Sequence, residues 1–546
     1  MANYSAKILN NSVRSLQAQQ AVIAVTSNNI ANVNTPGYSR RIVDLETGMS
    51  RSSGVGVNVG NGVNVRGISR VADEFLNKVL RDAESGQSSS QIQSEFMSRM
   101  EGLFNITGDK DTIGTLMNGF FAAANDLTTN PSSIELRSVF IQRGNDLVTK
   151  IKSSFETIAN LQQEADSRID GELAMVNAVT AEIAALNSRI SSTESGGQVA
   201  ADERDQRDQL MSNLAKKISY SSVELEDGSV TLSLSNGFVL VSGGNSRNLE
   251  TTKVPSFAPG ALPPSLSGGV LSYVVYDYDP TSGGASHLDL TQILKAGDGS
   301  IGGLLAVRGY ADPTNTNSLQ ADGPLVEMAS RIEAITRNLL TRVNTTYLGP
   351  DEDAGTAGFQ PSALDLDGLT PSVYGLFDFT YALGSKDANA DGLPNDLAAL
   401  TVDNYSSLLS MNFSDPRRVA AARDQNAVGG ATTLVPGDGR NMEALVALQT
   451  TTTNFSAGSF TLNGATYDDS FNEMITHMSG LALSSRTQEG LDIDNLNTVS
   501  ARRDEVSAVS LDEEFSGLIK FQKTYQASAK LIKIADELLQ QVISLI

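Results

Sequence analysis

The 546-residue sequence has no cysteine and no tryptophan, and it contains only two histidines. The lack of cysteine excludes disulfide bonds, metal sites with thiolate ligands and a cysteine nucleophile. No apolar run reaches the roughly 18–20 residues that a membrane-spanning helix requires. The first 30 residues also lack an apolar segment followed by a small-residue cleavage site, so we expect no cleaved secretory signal peptide.

Acidic residues outnumber basic ones, and the formal net charge is -23. Nucleic acids and anionic membranes bind positive patches, so we expect neither as a main partner. The imbalance is uneven along the chain: residues 219–440 carry 25 acidic and 12 basic side chains, whereas residues 1–60 carry two acidic and five basic ones. The acidic middle is therefore predicted to be a solvated outer part, and the ends are not.

From residue 510 to the end, the sequence predicts one uninterrupted amphipathic helix. Apolar residues recur every seven positions, and the positions three residues further on are mostly apolar or small. The repeat consists of Leu511, Leu518, Tyr525, Ile532 and Leu539. A seven-residue repeat of this length indicates a coiled-coil seam that must be buried against something.

The N-terminus carries a matching but more polar pattern. Its apolar positions, also seven residues apart, are Leu9, Leu16, Ile23 and Ile30, on a helix predicted to end near Ala31. We predict that the two terminal helices pack together and that their seams form an assembly interface with other copies. The alternative is a coiled coil confined to one chain.

The first helix is followed by a stop-and-turn pattern. Pro36-Gly37 suits the central positions of a type II turn, and Asn32 and Asn34 tolerate left-handed backbone. This turn lies within residues 27–40, SNNIANVNTPGYSR, a run that resembles the N-terminal signature of flagellar axial proteins.

Further stretches resemble one branch of these proteins, the flagellar hook-associated protein 1 family. They are GVGV at 54–57, residues 68–76, the terminal stretch 511–527, and the internal motifs ERDQ at 203–206 and GDGRN at 437–441. Residues from about 250 to 400 show no such resemblance.

The resemblance implies a structural, non-enzymatic component that joins the flagellar hook to the filament and assembles as a ring or helical layer. It implies no cofactor. The implied partners are further copies of the chain, the hook protein, a second hook-associated junction protein and a type III export chaperone. The implied location is extracellular, in the flagellum. Another axial protein, of the hook or filament type, remains an alternative.

The fold class predicted is mainly α with β-rich inserted domains, in an elongated multidomain chain whose two termini form a long helical coiled-coil bundle. The predicted divisions are an N-terminal helix with turn and β-hairpin (1–70), a long helical bundle (71–218), a β-containing outer domain (219–322), a helix (323–349), a variable mixed outer region (350–465) and C-terminal helices that pack with the N-terminal ones (466–546).

Inside these divisions the apolar period predicts helices over 71–105, 112–127, 132–190, 202–217, 323–348 and 467–506. The helix over 132–190 would be about 87 Å long, which suits a rod-like bundle. Ser132 with Glu135 predicts a capping box at its start. Strands over 220–225 and 229–234 flank Asp227-Gly228, which predicts a hairpin.

Catalytic and metal sites have little support in the sequence. His287 is predicted to lie in a Ser/Gly loop and His477 on a helix, and neither has a recognisable catalytic partner. Asp387, Asn389 and Asp391 are spaced like the opening of a calcium loop, but Ala398 stands where a bidentate Glu is needed. An ordinary surface turn is the preferred interpretation. A calcium-binding adhesive or enzymatic insertion on an axial scaffold remains the alternative function.

Overall fold

The computed structural model describes residues 2–48, 51–52, 58–59, 61–104, 111–197, 199–253, 265–267, 270–277, 287–310, 319, 321–349, 362–369, 375–379, 405–424 and 435–544. None of the helices in these ranges combines the length and apolar character needed to cross a membrane. Asp387, Asn389 and Asp391 lie outside the described residues, and so does Ala398.

Most of the described chain is helical. The α-helices are α1 (Ala2–Ala31), α2 (Glu74–Leu103), α3 (Ile113–Thr129), α4 (Ile134–Ser195), α5 (Ala201–Ala215), α6 (Thr291–Lys295), α7 (Gly299–Arg308), α8 (Pro324–Asn338), α9 (Asn344–Leu348), α10 (Tyr405–Leu408), α11 (Arg440–Ala447), α12 (Tyr467–Ser507) and α13 (Leu511–Ser544). A π-helical segment, Leu339–Val343, joins α8 to α9, and a short 3-10 helix covers Pro416–Arg418.

The strands are short and their pairings are antiparallel. They are β1 (Arg41–Thr47), β2 (Arg51–Ser52), β3 (Asn58–Val59), β4 (Val63–Arg70), β5 (Ser221–Glu224), β6 (Val230–Ser233), β7 (Val239–Ser242), β8 (Asn245–Ser246), β9 (Glu250–Thr252), β10 (Tyr273–Asp277), β11 (His287–Asp289), β12 (Ala363–Leu364), β13 (Phe377–Phe379), β14 (Leu409–Met411), β15 (Ala422–Arg423), β16 (Thr453–Ala457) and β17 (Phe460–Ala465). Within the described ranges the largest sheet has the order β5-β6-β7-β8, and β1 pairs with β4.

Helix α4 gives the molecule its length. Its 62 residues correspond to about 93 Å, which confirms the predicted long helix. The predicted cap is wrong by one residue. The backbone N–H of Ser133 donates to the Asn130 carbonyl, so Ser132 belongs to the preceding turn. The Ser133 hydroxyl instead accepts from the Leu136 N–H at 3.3 Å and caps the helix.

The long helices share one apolar core. A contiguous cluster of buried residues extends along the chain from Ile92 to Ala482. In its centre the rings of Phe120 and Phe140 stack with centroids 5.0 Å apart, and Phe121 lies 5.6 Å from Tyr467. These contacts tie α3, α4 and α12 together, so residues far apart in sequence form one mainly α body.

Two helices of this body approach closely at a glycine. A Cβ added to Gly303 in α7 would lie 2.8 Å from the carbonyl oxygen of Ser89 in α2. A side chain at this position would therefore push the two helices apart.

Some local predictions are confirmed and others are corrected. The Asp227-Gly228 hairpin joins β5 to β6, with Gly228 at a φ of 79°. His287 lies in strand β11, paired with Asp277, and not in a loop. The helix expected over 323–348 is interrupted by its π-helical segment. There the Thr341 hydroxyl donates to the Arg337 carbonyl at 2.8 Å, in competition with the regular backbone bond.

A buried ion pair fastens the middle of α4 to α7. Arg308 is 1% exposed, and its guanidinium pairs with Asp166. Asp166 also accepts hydrogen bonds from the backbone N–H and the hydroxyl of Ser272, both at 3.0 Å. Each charge is therefore compensated inside the protein.

Replacing Asp166 by alanine is expected to lower the free energy of unfolding by about 3–5 kcal/mol, because Arg308 would become an unpaired buried charge. Urea denaturation followed by circular dichroism measures the change. Asp82→Ala is the matched control, because it removes an exposed partner of Lys78 at 3.7 Å. Its effect is expected to stay within about 0.5 kcal/mol, and equal losses in both variants would contradict the assignment.

The same pair makes an acid-sensitive contribution to stability. Burial alone raises the pKa of Asp166, but the charge of Arg308 and the hydrogen bonds from Ser272 leave this pKa below its ordinary value. Such a carboxyl stabilises the fold above its unfolded pKa of about 3.9, and the contribution is lost as the pH falls through the folded value. We expect the difference between wild type and Asp166→Ala to be complete at pH 7 and to shrink below about pH 4. A difference that does not change with pH would contradict this.

Candidate assembly interface

The terminal helices α1 and α13 lie side by side, as the sequence predicts. The hydroxyls of Ser15 and Ser528 are 3.0 Å apart, and the side-chain amide of Asn29 donates to Glu514 at 3.2 Å. The residue later in α1, Asn29, contacts the residue earlier in α13, Glu514, so the two helices run antiparallel.

On α13 the predicted heptad marks the face that meets α1. The positions at closest approach are Glu514, Ser528 and Ala535, which are at most 5% exposed. The predicted seam residues Leu518, Tyr525 and Ile532 are half-buried beside them, while Leu511 is 41% exposed. The side chain of Leu539 lies outside the described part of the structure. A carboxylate and two small side chains, rather than the large apolar ones, therefore set the helix contact.

On α1 the buried face is displaced from the predicted seam. Its buried residues are Ser12, Ala18, Val22, Thr26 and Asn29. The predicted positions Leu9, Leu16, Ile23 and Ile30 are half-buried on the flank of this row. Small and polar side chains allow the backbones to approach, which an apolar count alone does not reveal.

Asn29 connects four parts of the terminal region. Its amide nitrogen donates to the Arg41 carbonyl at 2.9 Å and to Glu514. Its amide oxygen accepts from the Tyr38 hydroxyl at 2.8 Å and from the Arg41 N–H at 3.1 Å. At 1% exposure, Asn29 thus joins α1, the turn, β1 and α13 through a filled set of hydrogen bonds.

The turn after α1 is held by its own side chains. The Asn32 amide donates to the Asn28 carbonyl at 2.9 Å, which closes the helix, and the Thr35 hydroxyl donates to the Asn32 side-chain oxygen at 3.2 Å. Gly37 has a φ of 79°, as the predicted turn requires. The turn therefore aims Tyr38 at Asn29.

Arg40 links the turn to the start of α13. Its guanidinium lies 2.7 Å from the buried carboxylate of Glu514 and 2.9 Å from Glu513. Its backbone N–H donates to the Ser507 carbonyl at 3.0 Å, and its carbonyl accepts from Val71 at 2.8 Å. One residue thus contacts the ends of α12, β4 and α13.

A cluster of ion pairs attaches this terminal region to α5. Arg41 pairs with Asp202 and lies 3.3 Å from Asp205. Arg70 lies 3.0 Å from Asp205 and 2.6 Å from Asp208. Burial alone would lower the pKa of Arg70, but the charge of Asp208 and the hydrogen bonds that Arg70 donates to both aspartates outweigh it and leave this pKa raised.

Comparisons with known proteins agree with this architecture. The family model described as the FlgK helical domain of flagellar hook-associated protein matches residues 97–358. Two further models match the ends of the chain: the flagella basal body rod protein at 9–38 and the C-terminal part of the flagellar basal body rod FlgEFG proteins at 501–545.

Full-length relatives point to the same family. Flagellar hook-associated protein 1 of Salmonella typhimurium is 27% identical over 98% of this chain and 99% of its own length. The protein of the same name from Bacillus subtilis is 25% identical over 97% of this chain and 96% of its own length.

The chain is thus similar to the flagellar hook-associated protein 1 family along nearly its whole length. The flagellar hook junction protein FlgK from Burkholderia pseudomallei shares its fold, with a TM-score of 0.58 and 14% identity over 79% of this chain and 100% of that one. Members of this family are structural flagellar proteins.

The two internal motifs that carry the resemblance, ERDQ and GDGRN, make structural contacts. In ERDQ, Arg204 pairs with Glu194 at the end of α4 through two bonds of 2.6 and 2.8 Å, and Asp205 belongs to the ion-pair cluster. In GDGRN, the Asn441 amide donates to the carbonyls of Tyr347 and Ala420 at 2.8 and 2.7 Å. Sequence resemblance identified these residues, and the structure gives their contacts.

His477 also has a structural contact. Its Nε2 lies 2.8 Å from Oε2 of Glu327, so it connects α12 to α8.

A pocket with both apolar and charged lining residues lies where α1, β1 and α13 meet. We call it the root pocket; its volume is about 220 Å³, and it is lined by Val22, Val25, Thr26, Arg40, Arg41, Ile42, Val43, Leu45, Glu513, Glu514, Gly517 and Phe521. Ile42 and Leu45 are 43% and 45% exposed at its mouth. No sequence pattern indicates this pocket, because three separate segments form it.

Replacing Asn29 by alanine is expected to loosen α1 from α13. The variant leaves the Tyr38 hydroxyl and the Arg41 N–H without the Asn29 oxygen, at about 1–3 kcal/mol each, and it removes one of the hydrogen bonds to the buried Glu514 carboxylate. Hydrogen exchange should show faster exchange in α1 and α13, with α4 unchanged. Asn34→Ala, in the exposed part of the same turn, is the control and should exchange like wild type. Unchanged protection in the Asn29 variant would contradict the assigned role.

Proposed function

We propose that this chain forms the layer that joins the flagellar hook to the filament, and that its copies assemble side by side through their terminal helices. The exposed apolar surface of α13 supports this assembly most directly. Six large apolar residues of this helix are 41–55% exposed: Leu511, Phe515, Ile519, Leu531, Ile534 and Leu538. Large exposed apolar surfaces on soluble proteins mark interaction sites.

The proposed assembly interface includes both predicted seams. Leu9, Leu16, Ile23 and Ile30 of α1 and Leu518, Tyr525 and Ile532 of α13 are half-buried against the partner helix, so each keeps a part for a neighbouring copy. Leu511 and Leu539 complete the proposed set. In this proposal the helix pair of one chain becomes part of a larger coiled-coil bundle.

Burial of apolar surface supplies the driving force for such a layer. The gain is roughly 25 cal/mol for each Å² removed from water, and it recurs at every contact between copies. A contact between two different surfaces of one subunit repeats around a ring or along a helix. The assembly therefore needs no catalytic chemistry.

The proposed partners follow from a position between hook and filament. They are other copies of the chain, the hook protein, a second hook-associated junction protein and, before assembly, a type III export chaperone. The proposed location is the extracellular flagellum.

Deletion of the gene in its own organism tests this function. Negative-stain electron microscopy should show hooks without filaments, and filament protein should be lost to the medium. Filaments that remain attached would contradict the junction role and would assign the chain to another part of the flagellar axis.

The terminal seam is tested by complementing that deletion with Leu518→Asp/Ile532→Asp. We expect no attached filaments, because two carboxylates would have to be buried in the seam without partners. The matched control is Leu491→Asp on α12, which is 60% exposed and lies outside the proposed interface. It should restore filaments, and normal filaments in the seam variant would contradict the seam.

A further inference from the structure

The first turns of α13 carry two different apolar features on opposite sides. Phe515 and Ile519 are one turn apart and share a face, and so do Gly517 and Phe521. The two pairs are offset by two residues, which is roughly 200° of rotation at 3.6 residues per turn. One side of α13 therefore projects apolar side chains, while the other side lines the root pocket.

The described part of the chain covers only about half of the projecting side chains. Phe515 is 50% exposed and Ile519 is 55% exposed. Nearly all of the surface of a phenyl ring is apolar, and its removal from water is favourable.

The pocket side is shaped to receive an apolar group. Its walls come from Val22 and Val25 of α1, Val43 and Leu45 of β1, and Phe521 of α13. Gly517 leaves this part of α13 without a side chain; a Cβ there would lie 3.3 Å from the Phe521 ring. The volume of about 220 Å³ accommodates one aromatic ring.

The projecting pair, Phe515 and Ile519, and the pocket pair, Gly517 and Phe521, lie at nearly the same position along the axis of α13. Their midpoints are two residues apart, which is about 3 Å at 1.5 Å per residue. A second copy in the same orientation, placed beside the first without a shift along the axis, would bring its Phe515 to this pocket. A two-fold pair would instead place ring against ring or pocket against pocket.

Charges beside the two features are complementary. Glu513 lines the root pocket and, although it pairs with Arg40 at 2.9 Å, keeps 64% of its side chain accessible. Lys520 and Lys523 follow Ile519 and are exposed, and they make no ion pair within the described part of the chain. Opposite charges at the edge of a contact fix its orientation.

We propose that Phe515 and Ile519 of one copy occupy the root pocket of a laterally neighbouring copy in the same orientation. The contact joins two different surfaces, so every copy offers one projecting face and one pocket, and the array extends by repetition. This inference rests on the proposed function and specifies the contact between copies.

Disulfide cross-linking tests the contact, because the chain has no cysteine of its own. Phe515→Cys and Leu45→Cys are made as two separately tagged variants and expressed together in cells that lack the native copy. Flagella are isolated and oxidised mildly. We expect a disulfide-linked dimer that contains one chain of each variant, and loss of this band when either variant is expressed alone.

Controls separate this contact from other outcomes. Leu491→Cys replaces Phe515→Cys as an equally exposed position on α12, and it should give no dimer with Leu45→Cys. A dimer of Phe515→Cys with itself would overturn the proposal, and so would attached filaments without the mixed dimer. If Phe515→Cys prevents filament attachment, Ile519→Cys with Val25→Cys probes the same contact, with the same two readings.

The proposed function fails independently of this result. Attached filaments in the deletion strain would contradict the proposed function. Attached filaments without the mixed dimer in the complemented strain would contradict only the proposed contact.

Discussion

The buried carboxylate of Glu514 is the constraint on which the terminal region depends. At 4% exposure it needs compensation, and the compensation comes from Arg40 and Asn29, which are more than 470 positions away in the sequence. A charge left alone in this setting would be strongly unfavourable. The start of α13 is therefore docked only when α1 and the turn that follows it are in place, so the two ends of the chain become ordered together.

Ion pairs also connect the terminal region to the helical body. Arg40 and Arg41 are neighbours in sequence, but Arg40 faces the acidic start of α13 and Arg41 faces Asp202 and Asp205 of α5. Arg40 directly precedes β1, and side chains of neighbouring residues in extended backbone point to opposite sides. A pair of adjacent arginines thus divides its contacts between the terminal helices and the helical body.

Long helices could be predicted from the sequence because their apolar spacing repeats over many residues. Sites formed by several separate segments could not. The length of α4 and the packing of α1 against α13 follow from repeated apolar spacing, whereas the antiparallel direction of the pair does not. On α1 the buried row lies beside the predicted seam because Ser12, Thr26 and Asn29 are buried although they are polar. Nothing in residue spacing distinguishes Asn29 from Asn28. The sequence also does not show whether Ser132 or Ser133 is the last residue before α4. The root pocket arises only when three segments meet.

Helix α4 also has a mechanical consequence. Near one end, Arg137 donates to the Val419 carbonyl and so holds the 416–419 segment. At the other end, Glu194 pairs with Arg204, next to the aspartates of α5 that hold the terminal region. Since α4 is one uninterrupted helix, it acts as a strut. A torque applied to the terminal helices would pass through the α5 ion pairs into α4 and along it to the 416–419 segment.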